Sequence, residues 1–272
     1  MGVETRPGPL RVTDATDVAH AAQALAAGAF VIHAFANLYA LTTRGDARTV
    51  RAANEFKGRP AGQVGSVTTT PARLLSLFDL SRLTDELSPA DVAGLVDELL
   101  CLGPCGFRAP AAARIADHLT VRDGTGQRWV QVIVPGYRCP ANAFLAHALR
   151  VCGSDHLHIT SANRSRHVTG AAEEPAHYRA SALKAEFGGD PRLVLLEHAD
   201  EGAALEAYPL HAPMSVTVLA FRTDPTAPAG RRALTVERHG SLPISALREV
   251  LENHEFDLSV PAGQRRLRQH VY

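Results

Sequence analysis

Helical and strand-like patterns alternate through the first half of this chain, and strand patterns crowd together in the second. Asp14 or Thr16 can cap a first helix whose apolar positions are Val18, Ala21, Ala22 and Leu25, with Gly28 ending it. Residues 30–35 read as a short buried strand that continues through 37–41 into a loop. Asp46 opens a helix running to Phe56, residues 63–68 read as a strand, and Thr70-Pro71 and Ser88-Pro89 each start a further helix. Gly103 to Phe107 breaks the pattern. Later strands are expected at 119–122 and 128–134, on either side of the hairpin signal Asp123-Gly124-Thr125-Gly126, and at 156–160, 193–196, 215–220 and 234–237. Helices are expected from Cys139-Pro140, over 176–187 and over 243–251. Such an order predicts an α/β protein with a twisted, open, mixed β-sheet and flanking helices, because a purely parallel sheet would keep the alternation to the end.

Charge and cysteine usage narrow the function classes. The 28 basic and 28 acidic residues cancel, so no global field draws nucleic acid or membrane, and such binding needs a local patch. Cys101, Cys105, Cys139 and Cys152 form no CxxC pair, and the first thirteen residues hold no secretory apolar segment. No apolar run reaches the ~18 residues of a membrane span. These features predict a cytoplasmic protein with reduced thiols.

Only two of the basic residues are lysines, Lys57 and Lys184. A chain that otherwise writes positive charge as arginine, yet keeps lysine two residues before Arg59, suggests a site suited to a compact ammonium beside a planar guanidinium. Gly58 between them lets backbone approach a ligand, so Phe56-Lys57-Gly58-Arg59-Pro60 reads as a phosphate or carboxylate site. The same residues also suit a plain helix end, closed by glycine and stopped by proline. A second constellation is Ser161-Ala162-Asn163-Arg164-Ser165, which follows an apolar strand at its likely ligand-bearing end. A hydroxyl and an amide with free N–H groups between them can hold phosphate oxygens or a nucleotide edge, although Ser-x-Asn is also a common turn.

Together, a Lys-x-Arg at 57–59 and a Ser-x-Asn at 161–163 resemble the YrdC/Sua5 family, the threonylcarbamoyl-AMP synthases. Softer matches are Tyr39-Ala40-Leu41, Gly103-Pro104, Val134-Pro135, the segment 213–218 and Arg238-His239-Gly240. The resemblance implies a single YrdC-like domain over residues 14–251 around a basic concave cavity, followed by a basic tail over 252–272. It implies ATP and Mg²⁺ as cofactors, with bicarbonate and threonine or an analogue as co-substrates. Lys57 and Arg59 take the catalytic, charge-neutralising role. Ser161, Asn163, Ser165 and Arg238 bind the nucleotide and its phosphates, and Asn37 and Tyr39 meet the amino acid. No metal-ligating residue is assigned.

The departures from the family pattern are concentrated. Where the family reads Pro-Thr-Asp-Thr before its Tyr-Gly-Leu, this chain reads Ala34-Phe35-Ala36-Asn37, so the hydroxyls and the carboxylate that greet threonine are gone. The strand arginine of Arg-Val-Pro is Ile133, and the glycine after Ser-x-Asn-x-Ser is Arg166. The phosphate-facing set is kept while the amino-acid-facing set is not, and such losses change specificity by orders of magnitude. Three readings follow: a threonylcarbamoyl-AMP synthase, an enzyme making a different carbamoyl adenylate, or a non-catalytic nucleotide or double-stranded RNA binder, with tRNA as a further partner. Among lesser candidates, Cys101 and Cys105 read as core or loop thiols, His156 and His158 lie along a strand and are not read as a metal pair, and His118, His147 and His167 are scattered. Asp85-Glu86 and Glu173-Glu174 read as solvated helix starts, 223–230 as a long hairpin loop, and 252–272, which holds Gln264 to Arg268, as a basic tail or edge segment, a solvated arm being the favoured form.

Overall fold

The computed structural model describes residues 9–165, 175–224, 232–270 and 272. The expectations for residues 1–8, Arg166, His167, Glu173, Glu174 and 225–230 lie outside the described residues.

Capping decides most helix boundaries. The Asp14 side chain accepts from the Thr16 and Asp17 N–H groups to start α1 (Ala15–Ala26), and Asp46 accepts from Thr49 to start α2 (Ala47–Phe56). Ser88 and Asp91 form a reciprocal capping box at the head of α3 (Pro89–Leu102). Gly153, in the left-handed region, closes α4 (Ala141–Cys152). Among the described residues, α5 (Ala180–Phe187), α6 (Glu201–Glu206) and α7 (Ile244–Asn253) complete the α-helices. The expected helix after Thr70-Pro71 is a 3₁₀ helix, Pro71–Leu77.

The strands are β1 (Leu10–Arg11), β2 (Phe30–Phe35), β3 (Leu38–Thr43), β4 (Ser66–Thr68), β5 (Cys105–Pro110), β6 (Val121–Arg122), β7 (Arg128–Val134), β8 (Leu157–Ser161), β9 (Leu193–Glu197), β10 (Val218–Thr223), β11 (Ala233–Arg238) and β12 (Asp257–Ser259). They form one sheet in the order β1-β9-β2-β3-β8-β4-β7-β5-β10-β11-β12, with β6 paired to β7. Parallel pairs such as β2–β9, β4–β7 and β5–β10 alternate with antiparallel ones such as β3–β8 and β5–β7, so the sheet is mixed as the sequence predicts.

Two expectations are corrected here. Residues 37–41 do not carry β2 onward: the chain reverses at Ala36-Asn37 and returns as β3, with Phe35 opposite Leu38. The turn carries no glycine to announce it, and Ala36 takes the left-handed conformation itself at φ 54°. Likewise Gly103 to Phe107 does not end the pattern but leads into β5. Gly106 sits there because a Cβ would come within 2.7 Å of Ile133 and 2.8 Å of Val218.

Helices cover the sheet in two cores. One joins α1, α4 and α5 to Val31, Ile32, Tyr39 and Leu41, and the other joins α3 and α7 to Phe107, Val132, Phe221 and Leu234. A third, small apolar cluster comprises Phe35, Leu38, Ala40, Ile133, Ile159, Val216 and Val218. Side chains alternate along a strand, so Tyr39 and Leu41 enter the first core while Leu38 and Ala40 point to the third. No helix among the described residues is long and apolar enough to cross a membrane.

Of the two forms expected for 252–272, the described residues take the edge segment and not the solvated arm. Asp257–Ser259 add a parallel edge strand to β11. The Leu267 N–H then donates to the His239 carbonyl at 2.9 Å, and Arg266 donates to the Gly240 and Ser241 carbonyls at 3.1 and 2.9 Å. Farther on, His270 stacks on His177 with ring centroids 4.3 Å apart.

Candidate functional site

Lys57 is the residue where α2 ends. Its N–H still bonds back to Ala53, and Gly58 takes φ 70° so that the Arg59 N–H reaches the Asn54 carbonyl at 2.7 Å. The plain helix-end reading of this stretch is therefore true, and it is what aims the next residues. The Asn54 side chain donates to the Gln63 carbonyl at 2.8 Å and holds the loop after Arg59 against the helix.

The end of β8 meets this helix end. Lys57 Nζ donates to Thr160 Oγ1 at 3.0 Å and to the Ser161 carbonyl, and Arg59 Nη1 donates to the same Thr160 Oγ1 at 2.7 Å. The Ser165 N–H donates to the Lys57 carbonyl at 2.9 Å. Two loops about a hundred residues apart are thus tied through side chain and backbone. Lys57 is fully buried, and none of its hydrogen-bond partners carries a charge. Burial, then the Arg59 guanidinium, pushes the ammonium well below its ordinary range, against a raising influence from Glu186. Burial also lowers Arg59.

These groups stand at one side of a cavity of about 260 Å³. Arg59, Arg108 and Arg238 line it, with Gln131, Ser66, Thr160, Ser161 and Ser215. Arg238 is fixed by donating from Nε to the Val216 carbonyl at 2.8 Å. Arg108 donates to Gln131 Oε1 at 3.0 Å and pairs with Glu237. Burial raises the Glu237 carboxyl, partly offset by Arg108, Arg222 and Arg238. The floor is the third apolar cluster: Phe35, Leu38, Ala40, Ile133, Ile159 and Val216. Trp129, the only tryptophan of the chain, also faces the cavity. Among the described residues, no aspartate or glutamate lines it.

The residues expected at the site divide clearly. Arg59, Ser161 and Arg238 reach the cavity. Lys57, Asn163 and Ser165 lie behind the wall and shape it: Asn163 is buried, with its amide donating to the Arg164 carbonyl at 2.8 Å. Asn37 and Tyr39 are not brought to the cavity. Asn37 is buried with its amide on the His211 carbonyl at 2.7 Å. Tyr39 points through the other face, donating to Glu201 Oε1 at 3.1 Å and accepting the His198 N–H at 3.2 Å. Burial pushes its phenol far above the ordinary range. The backbone of Tyr39 does serve the site, since its N–H donates to His177 and its carbonyl accepts from Ala162, beside Asn163.

Sequence reasoning did not find Thr160, Arg108 and Trp129. Thr160 could have been flagged as the hydroxyl next to Ser161. Arg108 and Trp129 become neighbours of Arg59 only through the sheet order, which no local pattern carries. For a metal, the donor set does not make a resident site: among the described residues there is no group of three candidate ligands. A Mg²⁺ ion fits this cavity only as the companion of a bound triphosphate, because hard cations need oxygen anions that these arginines do not supply.

An open mixed sheet with helices on one side and a cation-rimmed cavity on the other defines a class of α/β domain. Solved structures narrow that class. P. abyssi Sua5 complexed with L-threonine matches with a TM-score of 0.61 at 18% identity, over 90% of this chain and 60% of that one. E. coli YciO matches with a TM-score of 0.53 at 14% identity, over 80% of this chain and 90% of that one. Full-length HypF in its phosphate- and nucleotide-bound form matches with a TM-score of 0.52 at 16% identity, over 82% of this chain and 28% of that one. The chain spans about three fifths of the length of the Sua5 proteins it matches, 62% and 60% in two structures. No family model matches the sequence, and no curated protein does. The fold is YrdC-like.

Proposed function

We propose that this chain is a nucleotidyltransferase of the threonylcarbamoyl-AMP synthase kind, joining an amino acid, bicarbonate and ATP into a carbamoyl adenylate and pyrophosphate. One observation carries the reading: Arg59 and the 160–165 loop meet on a cavity rimmed by Arg59, Arg108 and Arg238 and lined by no carboxylate among the described residues. Such a rim suits a polyanion, because fixed guanidinium forks stabilise phosphate charge most where water is excluded.

The chemistry needs little from the chain beyond charge and position. The amine condenses with bicarbonate to a carbamate, releasing water. A carbamate oxygen then attacks the α-phosphorus of ATP, and the bond to pyrophosphate breaks. Arg59 and Arg238 face the cavity and offset the charge that builds on the departing pyrophosphate, while Lys57 holds the 160–165 loop in place and acts as a positioning residue. Mg²⁺ bound to the triphosphate supplies further neutralisation of phosphate charge. In the synthase reading the adenylate serves tRNA modification, which makes tRNA the partner downstream.

Incorporation of labelled pyrophosphate into ATP, in the presence of bicarbonate and an amino acid, tests the proposal. Exchange that requires both supports it. ATP binding without exchange under any of twenty amino acids overturns it in favour of a non-catalytic nucleotide-binding module.

A further inference from the structure

The floor of the cavity bears on which amino acid enters, and this step rests on the adenylate-forming reading above. Phe35, Leu38, Ala40, Ile133, Ile159 and Val216 are each at most 7% exposed, yet all of them face the cavity. They come from five places in the chain: the two strands around the Ala36-Asn37 turn, β7, β8 and the approach to β10. Every side chain they send to the floor is a hydrocarbon. The polar lining borders it: Ser161 stands opposite Ala40 and Ser66 opposite Ile159 across their strand pairs. Thr160, whose hydroxyl already accepts from Lys57 and Arg59, stands under the cationic side, and Ser66 accepts from Gln131 at 2.6 Å. The Asn37 amide, which could have met a hydroxyl, is turned to His211 on the far side.

Two consequences follow. A side-chain hydroxyl lowered onto the middle of this floor would exchange water for hydrocarbon side chains, with hydroxyls only at the edge, whereas a methyl group of the same shape would lose nothing. A free ammonium would sit among three guanidinium groups with no carboxylate in the lining. A carbamate suits the rim better, because capturing bicarbonate removes the positive charge from the amine.

We propose that the cavity selects an amino acid with a branched or aromatic hydrocarbon side chain, bound as its carbamate, in place of threonine. Valine and threonine are the sharpest pair, being isosteric and differing by a methyl for a hydroxyl. Hydrocarbon pockets discriminate such isosteres by about a hundredfold at most. We therefore expect the specificity constant for pyrophosphate exchange to favour valine over threonine by ten- to a hundredfold, with leucine, isoleucine and phenylalanine compared in the same series.

The experiment measures pyrophosphate exchange with each amino acid at fixed bicarbonate, alongside quenching of Trp129 fluorescence by MgATP alone. A valine preference of tenfold or more supports the proposal. Threonine equal to or better than valine overturns it while leaving the adenylate-forming reading intact. If MgATP does not quench Trp129 and no amino acid drives exchange, the underlying reading falls and the proposal with it. Val216→Thr provides a second measurement, since it is isosteric and changes only the polarity of the floor. It should move the valine-to-threonine ratio toward threonine by about tenfold, and an unchanged ratio in a folded variant counts against the floor as the selector.

Discussion

Two stretches carry comparable sequence signals and come to opposite ends. Lys57-Gly58-Arg59 and Asn37-Leu38-Tyr39 each lie beside a strand, and each matches part of the same family pattern. The first joins the 160–165 loop and brings Arg59 to the cavity. The second gives the cavity Leu38 and sends Asn37 and Tyr39 away from it. The cause is parity. A helix end followed by glycine can aim a side chain in many directions, but a residue in a strand has two faces to choose from, and the Ala36-Asn37 turn sets which one. The helix end thus brings a guanidinium to the cavity, while the turn brings it hydrocarbon from Phe35, Leu38 and Ala40.

The largest contrast is expected from Arg59→Ala. Removing a cavity-facing guanidinium from the proposed phosphate site should lower pyrophosphate exchange by about a hundred- to a thousandfold, read as the specificity constant for ATP. Exchange within a few-fold of wild type would erase the distinction between the two stretches.

Lys57→Met comes next. It should lower exchange by about ten- to a hundredfold through loosening of the 160–165 loop, with little loss of thermal stability. The stability expectation follows from burial: the amine is desolvated against neutral acceptors, so an apolar replacement of similar length removes a cost along with its hydrogen bonds. A large drop in melting temperature would show that Lys57 is chiefly a structural tie.

The same lysine predicts a proton linkage. Its pKa is held well below the ordinary lysine value behind the cavity wall, mainly by burial. A bound triphosphate favours the charged ammonium and raises that pKa. Between the lower and the higher value the complex holds more protons than the free protein, so nucleotide binding should tighten as pH falls through that window, by up to about tenfold per pH unit. Calorimetry in buffers of different ionisation enthalpy should register proton uptake in the wild type and none in Lys57→Met.

The smallest effect belongs to Tyr39→Phe. It removes the hydrogen bonds to Glu201 and from His198, and should cost about 1 to 2 kcal/mol of stability, measured by denaturant titration. Exchange should stay within about twofold. A strong loss of exchange at full stability would place the Tyr39 hydroxyl back at the site.

How much was legible from sequence follows the same division. The mixed sheet and the Asp46-capped helix that ends at Lys57 could be read because caps and periodicity are local signals, and the pairing of two distant polar loops could be read from the family resemblance. The return strand Leu38–Thr43 could not, since its turn is made by an alanine at φ 54° where a glycine would have signalled it. The strand Cys105–Pro110 was masked by Gly103, Pro104 and Gly106, which usually interrupt strands; here Gly106 permits close packing of β5 against its neighbours. Arg108 and Trp129 were silent for a different reason: both stand in β5 and β7, and only the sheet order carries them to the cavity of Arg59.

Soaking crystals with a non-hydrolysable ATP analogue tests the central claim most directly. The account predicts phosphate oxygens within hydrogen-bonding distance of Arg59 and of the Ser161 hydroxyl, since the N–H groups of 162–165 already donate within the protein, with Trp129 and Arg238 in contact with the same ligand. Density on the Tyr39 and Glu201 side of the sheet, or a cavity that stays empty at saturating analogue while nucleotide binds elsewhere, would contradict it.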